Sequence, residues 1–290
     1  MYKIFLILVC FCLIGCKTSN IHPDPPDNES NFSPSDIPDE KPRPDNTITE
    51  KPNNNNLFIQ AVRANDLSEA NRILSLSPGS LNFRDNTGKT GLIHAVENGN
   101  RAIVEMLLNK GANPDVADSR GMTALIYCMQ KNNTVIADIL LNEKYGVNVN
   151  FQTTGQRNTA LHYAVESNNA SFVKLLLENK TIQTQLTDIN GETAFFTAVK
   201  KNYRPLIRLF GQLREFDVTV KNNDGIPAFL LGIQSKVDVG TIQEILSYCK
   251  EAMNSTDSNG KGPYEYLASS NYSDRDKQRL NDMFVAAEKK

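Results

Sequence analysis

Few residues of this chain could do chemistry, and they stand far apart. Gly88-Lys89-Thr90 ends like a phosphate-cradling loop, but such a loop needs Gly five places before Gly88, and Phe83 stands there. Nucleotide binding is not expected. Three histidines, His22, His94 and His162, could each ligate a metal, yet they stand too far apart in the chain for any two to share one without partners of their own. The chain has no His-Glu-x-x-His, no paired Cys-x-x-Cys, no Gly-x-Ser-x-Gly and no carboxylate pair at a recognisable spacing. The expectation is no catalytic residue, no metal, no cofactor and no small-molecule substrate. Five cysteines remain: three within the first 16 residues, then Cys128 and Cys249.

Composition narrows the classes further. With 40 % apolar and 22 % charged residues the chain can bury a core. A net charge of −2, with bases and acids interspersed, leaves no basic stripe for nucleic acid and no acidic tail. The absence of Trp disfavours a sugar-stacking platform.

The start of the chain is a separate object. MYKIFLILVCFCLIGC carries Lys3 and then an apolar run from Ile4 to Gly15, too short to cross a hydrocarbon layer of ~30 Å as a helix. It reads as a signal peptide over residues 1–15. Leu13-Ile14-Gly15-Cys16 resembles the lipobox of bacterial lipoproteins, which implies lipidation of Cys16 and a membrane anchor. Several acyl chains at ~0.8 kcal/mol per buried CH₂ would hold the protein on a membrane without spanning it. Residues 16–53 continue as a tether rich in Pro and Asn, too poor in large apolar side chains to offset its ordering entropy. As a flexible chain it would span roughly 35 Å, and as polyproline about 115 Å.

Beyond the tether the chain repeats itself. HAVENGNRAIVEMLLNKG at 94–111 returns as YAVESNNASFVKLLLENK at 163–180. Ala61, Ala95, Cys128, Ala164, Ala198 and Gly232 mark one register at near-constant intervals, the signature of stacked units. Before them stand TGL, TAL, TAL, TAF and PAF, and before those DNTG, DSRG, DING, NNDG and DSNG. Asp and Gly suit a tight turn. Thr90, Thr123, Thr159 and Thr193 can cap a first helix. Gly99, Asn132, Asn168 and Asn202 can end it in the left-handed conformation. Ile103, Val104, Leu107 and Leu108 then make the apolar stripe of a second helix, repeated at 136–141 and 172–177.

This pattern resembles the ankyrin repeat, D-x-x-G-x-T-P-L-H-x-A followed by a turn and V-x-x-L-L. The resemblance implies an all-α ankyrin-repeat solenoid of six to seven units over 54–290, with repeats near 54–84, 85–117, 118–153, 154–187, 188–221, 222–256 and 257–290. One helix pair cannot bury its stripe alone, so neighbours do it for one another and the end units act as caps. Two departures predict local irregularity: Arg157 stands where the fourth turn wants Gly, and in the sixth unit Pro227 and Gly232 replace Thr and Ala, which predicts looser packing. On this arrangement His94 and His162 lie two repeats apart. Cys128 and Cys249 lie three apart, roughly 25–30 Å at ~8–10 Å per helix, too far for a disulfide and read as inert thiols.

The resemblance further implies that hairpin tips and the exposed edges of the first helices form a concave binding face. Carried over to this sequence, that face comprises Asn86, Thr87, Lys89, Glu97 and Asn98, then Ser119, Arg120, Met122, Gln130 and Lys131. It continues with Gln156, Asn158, Glu166 and Ser167, and ends with Ile189, Asn190, Glu192, Lys200 and Lys201. Met122 and Ile189 are its apolar members. The whole reads as a monomeric, non-enzymatic protein-binding module, lipid-anchored in a bacterial cell envelope, with the outer membrane the expected site. It would protect or neutralise a periplasmic protein; the alternatives are a surface binder of a host molecule, or an enzyme whose site escapes recognition.

Overall fold

The computed structural model describes residues 53–214 and 216–289; the segments read as signal peptide and tether, with Cys16, lie outside the described residues up to residue 52. Among the described residues no helix is long and apolar enough to cross a membrane.

Among the described residues fourteen α-helices follow one another in pairs: α1 (Asn54–Arg63) and α2 (Leu67–Leu76), α3 (Gly91–Glu97) and α4 (Arg101–Asn109), α5 (Ala124–Gln130) and α6 (Thr134–Leu140), and α7 (Ala160–Glu166) and α8 (Ala170–Leu177). They continue with α9 (Ala194–Lys200) and α10 (Arg204–Gly211), α11 (Ala228–Gln234) and α12 (Val239–Tyr248), and α13 (Pro263–Ser269) and α14 (Asp274–Glu288). First helices pack on first helices and second on second, giving two layers. No strands form among the described residues; isolated bridges join Arg84 to Thr90, Thr187 to Thr193 and Lys221 to Pro227. This is the all-α solenoid that the repeat pattern implies.

Short helices of seven to ten residues would not persist alone in water. Caps and burial sustain them here. The hydroxyls of Thr90, Thr123 and Thr159 accept from the N–H groups of Ile93, Ile126 and His162. Asn100, Asn133 and Asn169 do the same for α4, α6 and α8, each cap contributing about 1 kcal/mol. Thr193 departs from the expectation: its side chain makes no cap hydrogen bond. In the first six pairs the chain turns between the helices through a left-handed residue: Gly99 (φ 70°), Asn132 (59°), Asn168 (52°) and Asn202 (58°), as read from the sequence, and also Asn65 and Lys236.

The core is the sum of the stripes. Ile103, Val104 and Leu107 of α4, Leu140 of α6, Phe172, Val173 and Leu176 of α8 and Leu206 and Phe210 of α10 are all fully buried. Around Phe195 the rings of Phe210 and Phe216 meet it edge-on, with centroids 5.5 and 4.8 Å away. Leu280 and Phe284 of α14 close the stack at 0 % exposure.

Two expectations of irregularity resolve differently. The fourth hairpin is one residue longer than its neighbours: Thr153 N–H reaches Asn158 C=O, where Asp85 N–H reaches Lys89 C=O. Two left-handed residues, Gly155 (φ 81°) and Arg157 (φ 58°), accommodate the extra length. The sixth unit, expected to be loose, is not. Phe229, Leu230, Ile233, Ile242 and Ile245 are completely buried. Neighbouring side chains have closed on the space left by Gly232, where an added Cβ would stand 2.8 Å from Val199 Cγ1.

Candidate protein-binding face

Each hairpin tip is organised by the acid or amide that opens it. Asp85 Oδ1 accepts from the N–H groups of Thr87 and Lys89 at 2.9 and 3.0 Å. Asp118 serves Arg120 and Met122, Asp188 serves Asn190 and Glu192, Asn222 serves Asp224 and Ile226, and Asp257 serves Asn259 and Lys261. At the longer fourth tip the Thr153 hydroxyl takes this role, accepting from Asn158 N–H. Adjacent tips are then joined through the backbone. Ser119 N–H donates to Thr87 C=O, Thr154 to Arg120, Ile189 to Gln156 and Asn223 to Asn190, at 2.9–3.1 Å. The tips of repeats two to six thus form one hydrogen-bonded ribbon, and side chains on it are held at fixed spacing.

The second carboxylate oxygen of the turn acid points towards the first helix. Asp85 Oδ2 meets His94 Nε2 at 2.8 Å, Asp118 Oδ2 accepts from the Tyr127 hydroxyl at 2.7 Å, and Asp257 Oδ2 accepts from the Tyr266 hydroxyl at 3.1 Å. Burial works against the charge of Asp85, but hydrogen bonds from Thr87, His94 and backbone amides outweigh it and hold the carboxyl down at about 2. Asp118 is likewise lowered: burial opposes its charge and the bonds from Tyr127, Met122 and Arg120 prevail. Burial, with Asp257 as acceptor, pushes the Tyr266 hydroxyl up to about 12.

Around Tyr127 the network extends between repeats. Lys89 Nζ bonds both Glu97 carboxylate oxygens at 2.8 Å and lies 4.9 Å from the Tyr127 ring centroid. Arg120 donates to the Tyr127 hydroxyl and lies 3.4 Å from Asp118 Oδ2. The ammonium that a phosphate loop would require is therefore directed at Glu97, and Gly88-Lys89-Thr90 is a turn followed by a helix cap.

Most residues read onto this face lie on it. Asn86, Thr87, Ser119, Arg120, Gln156, Ile189 and Asn190 are exposed at the tips, and Gln130, Lys131, Glu166, Ser167, Lys200 and Lys201 at the ends of first helices. Lys89, Glu97, Asn158 and Glu192 are half-buried between those rows. Lys201 pairs with Glu166 across repeats, and Lys200 with Glu192 within one, reversing the polarity of the Lys89–Glu97 pair. One residue does not fit. Met122 is buried at 4 % exposure, because the turn that gives its N–H to Asp118 directs its side chain into the stack; it is not a surface contact. Asn98 is exposed, and its amide donates to Val62 C=O, Arg63 C=O and Asn65 Oδ1, fastening repeat two to repeat one. Ile189 remains as an exposed large apolar side chain on the ribbon, at 49 %.

Asn158, Glu166, Asn190, Glu192 and Lys200 converge, on a polar cup of about 210 Å³ between repeats four and five. Tyr163, Asp188, Thr193 and Thr197, none of which the sequence reading places on the binding face, complete its lining. Beneath it, His162 Nδ1 accepts from Thr159 and its Nε2–H donates to Glu192 C=O at 3.1 Å, which fixes the neutral tautomer. Burial also lowers its basicity. The signal that could have found this site is the nine-residue interval from turn acid to His94, Tyr127 or Tyr266, which fails at Thr197.

No group of His, Cys, Asp and Glu able to hold a metal occurs among the described residues. Both described cysteines are free and buried. Burial pushes Cys128 up to about 12 and Cys249 up to about 11.

Stacked helix pairs, a backbone-bonded row of tips and a fixed polar face define a repeat scaffold that presents one ordered surface. The chain belongs to the ankyrin-repeat family: the sequence model described as ankyrin repeats (3 copies) matches residues 58–153 and 145–224. A stretch of 151 residues is 32 % identical to the mitochondrial disaggregase of Bos taurus, covering 52 % of this chain and 22 % of that protein. The ankyrin repeat protein FPV031 of Fowlpox virus (strain NVSL) is 31 % identical over 106 residues, 36 % of this chain and 31 % of the viral one. The matched part thus spans less than a third of either relative. Among solved structures, the ankyrin repeat domain of Bcl-3, a member of the IkappaB protein family, superposes with a TM-score of 0.66 at 21 % identity, covering 78 % of this chain and 97 % of that one. That likeness is one of fold.

Proposed function

We propose that the protein is a lipid-anchored bacterial envelope lipoprotein that binds another protein through its tip face, protecting or neutralising it. The observation that carries the binding reading is the ribbon: backbone bonds from Thr87 to Asn223 pre-order a row of polar side chains with Ile189 exposed among them. Pre-ordering removes part of the entropic cost of association. The anchoring reading rests on the apolar leader ending at Gly15-Cys16 and on the Pro-rich segment that follows it.

The test is capture from detergent-solubilised envelopes with the wild-type chain and with Arg120→Glu/Lys131→Glu. The reading expects a defined protein recovered by the wild type and lost from the variant. Recovery of the same proteins by both would contradict it. For the anchor, Cys16→Ser should abolish incorporation of a palmitate analogue and move the protein out of the membrane fraction; unchanged incorporation would remove the lipoprotein assignment.

A further inference from the structure

In three repeats the second oxygen of the turn acid is satisfied from within the chain, by His94, Tyr127 or Tyr266 nine residues on. In the fifth repeat that register holds Thr197, and Asp188 Oδ2 is met by the Asn190 amide at 3.1 Å. The shorter side chain leaves the cup of about 210 Å³ beside Asp188. Thr193, 3 % exposed, lines this cup, and its hydroxyl lacks the cap bond that Thr90, Thr123 and Thr159 all make. Charges around the cup do not cancel. Glu192 is paired with Lys200 and Glu166 with Lys201, and His162 is neutral, which leaves Asp188 without a cationic partner among the described residues. Tyr163 also lines the cup.

We propose that this cup receives one basic side chain, arginine or lysine, of the bound protein, whose N–H groups occupy the place that His94, Tyr127 and Tyr266 fill in their own repeats. This rests on the tip face being the binding face. The chain already makes the contact internally: Lys89 lies 4.9 Å from the Tyr127 ring centroid and Arg120 donates to its hydroxyl, so a cation between acid row and ring row suits this scaffold. The volume matches one long side chain and falls below the ~300–1,000 Å³ of small-molecule pockets.

The experiment is titration of the ¹⁵N-labelled full chain with acetyl-Gly-Arg-Gly-amide, its citrulline counterpart and agmatine, followed at the amides of Asn190, Thr193 and Thr197. The arginine peptide should shift these amides with a dissociation constant of about 1 mM, the order expected of a single anchored group. The citrulline peptide and the variant Asp188→Asn should each bind at least about tenfold more weakly. Asn222 performs the same turn with an amide, so Asp188→Asn keeps its tip. Thr197→Tyr, copying repeat three, should abolish the shifts while the protein stays folded. Equal binding of the citrulline peptide, or unchanged binding by Asp188→Asn, would overturn the proposal. Agmatine binding tenfold more tightly than the peptide would give the cup to a free cation and overturn it as well. Such a failure would leave the tip-face reading to its own test at Arg120 and Lys131, which lie outside the cup.

Discussion

Asp85, Asp118 and Asp257 each use one carboxylate oxygen to shape a tip and the other to hold a side chain of the following helix. This ties stability to pH with a definite sign. Folded Asp85 titrates near 2 against an ordinary 3.8, so its contribution is complete above about pH 4 and is lost as pH falls towards 2. Asp85→Asn preserves the turn, as Asn222 does, and should flatten the acid limb of the stability curve. Urea unfolding between pH 7 and pH 2.5 measures it; an unchanged acid limb would show that this carboxyl is not coupled to folding. The buried thiols give a second prediction. At pH 8 iodoacetamide should leave Cys128 and Cys249 unmodified in the folded protein and alkylate both after denaturation, as peptide mass spectrometry would show. At this scale most turns and caps are legible in the sequence, because those roles depend chiefly on side-chain type. It could not tell that Met122 turns inward or that Thr193 leaves its cap unmade, since both depend on how one repeat seats on the next.

At the scale of the element, helix pairs were legible because each carries its own start, stop and apolar stripe, and the interval between repeats is nearly constant. The sixth unit packs more tightly than its sequence suggests because a missing methyl can be filled from outside: Val199 of α9 and Ile242 of α12 approach Gly232. Gly232→Ala should therefore destabilise, by about 1–3 kcal/mol as overpacking does, even though Ala is the residue of the other repeats. Stabilisation by that change would restore the reading of a loose unit. Arg157 is the opposite case. It sits at φ 58° on an exposed tip, where a side chain costs about 1 kcal/mol relative to Gly. Arg157→Gly should raise the urea midpoint, and a lowered midpoint would mean that the Arg side chain makes a compensating contact.

For the stack as a whole, stability is a sum over neighbours, and the surface is a sum over tips. Hydrogen exchange should be slowest in α3 to α10, which are covered on both sides, and fastest in α1 and α14. The sequence disclosed the array because the array is periodic. It did not disclose the cup, which exists only where repeats four and five meet and where the interval from turn acid to aromatic or imidazole breaks down. The central claim is that the tip face, and not the layer of second helices, holds the partner. Site-specific photo-crosslinking tests it most directly, with a benzophenone side chain placed at Asn190 on the ribbon or at Val135, 51 % exposed on α6 of the second layer, in cells that make the protein. The account predicts a discrete crosslinked protein from position 190 and none from 135; a crosslink from 135 with none from 190 would contradict it.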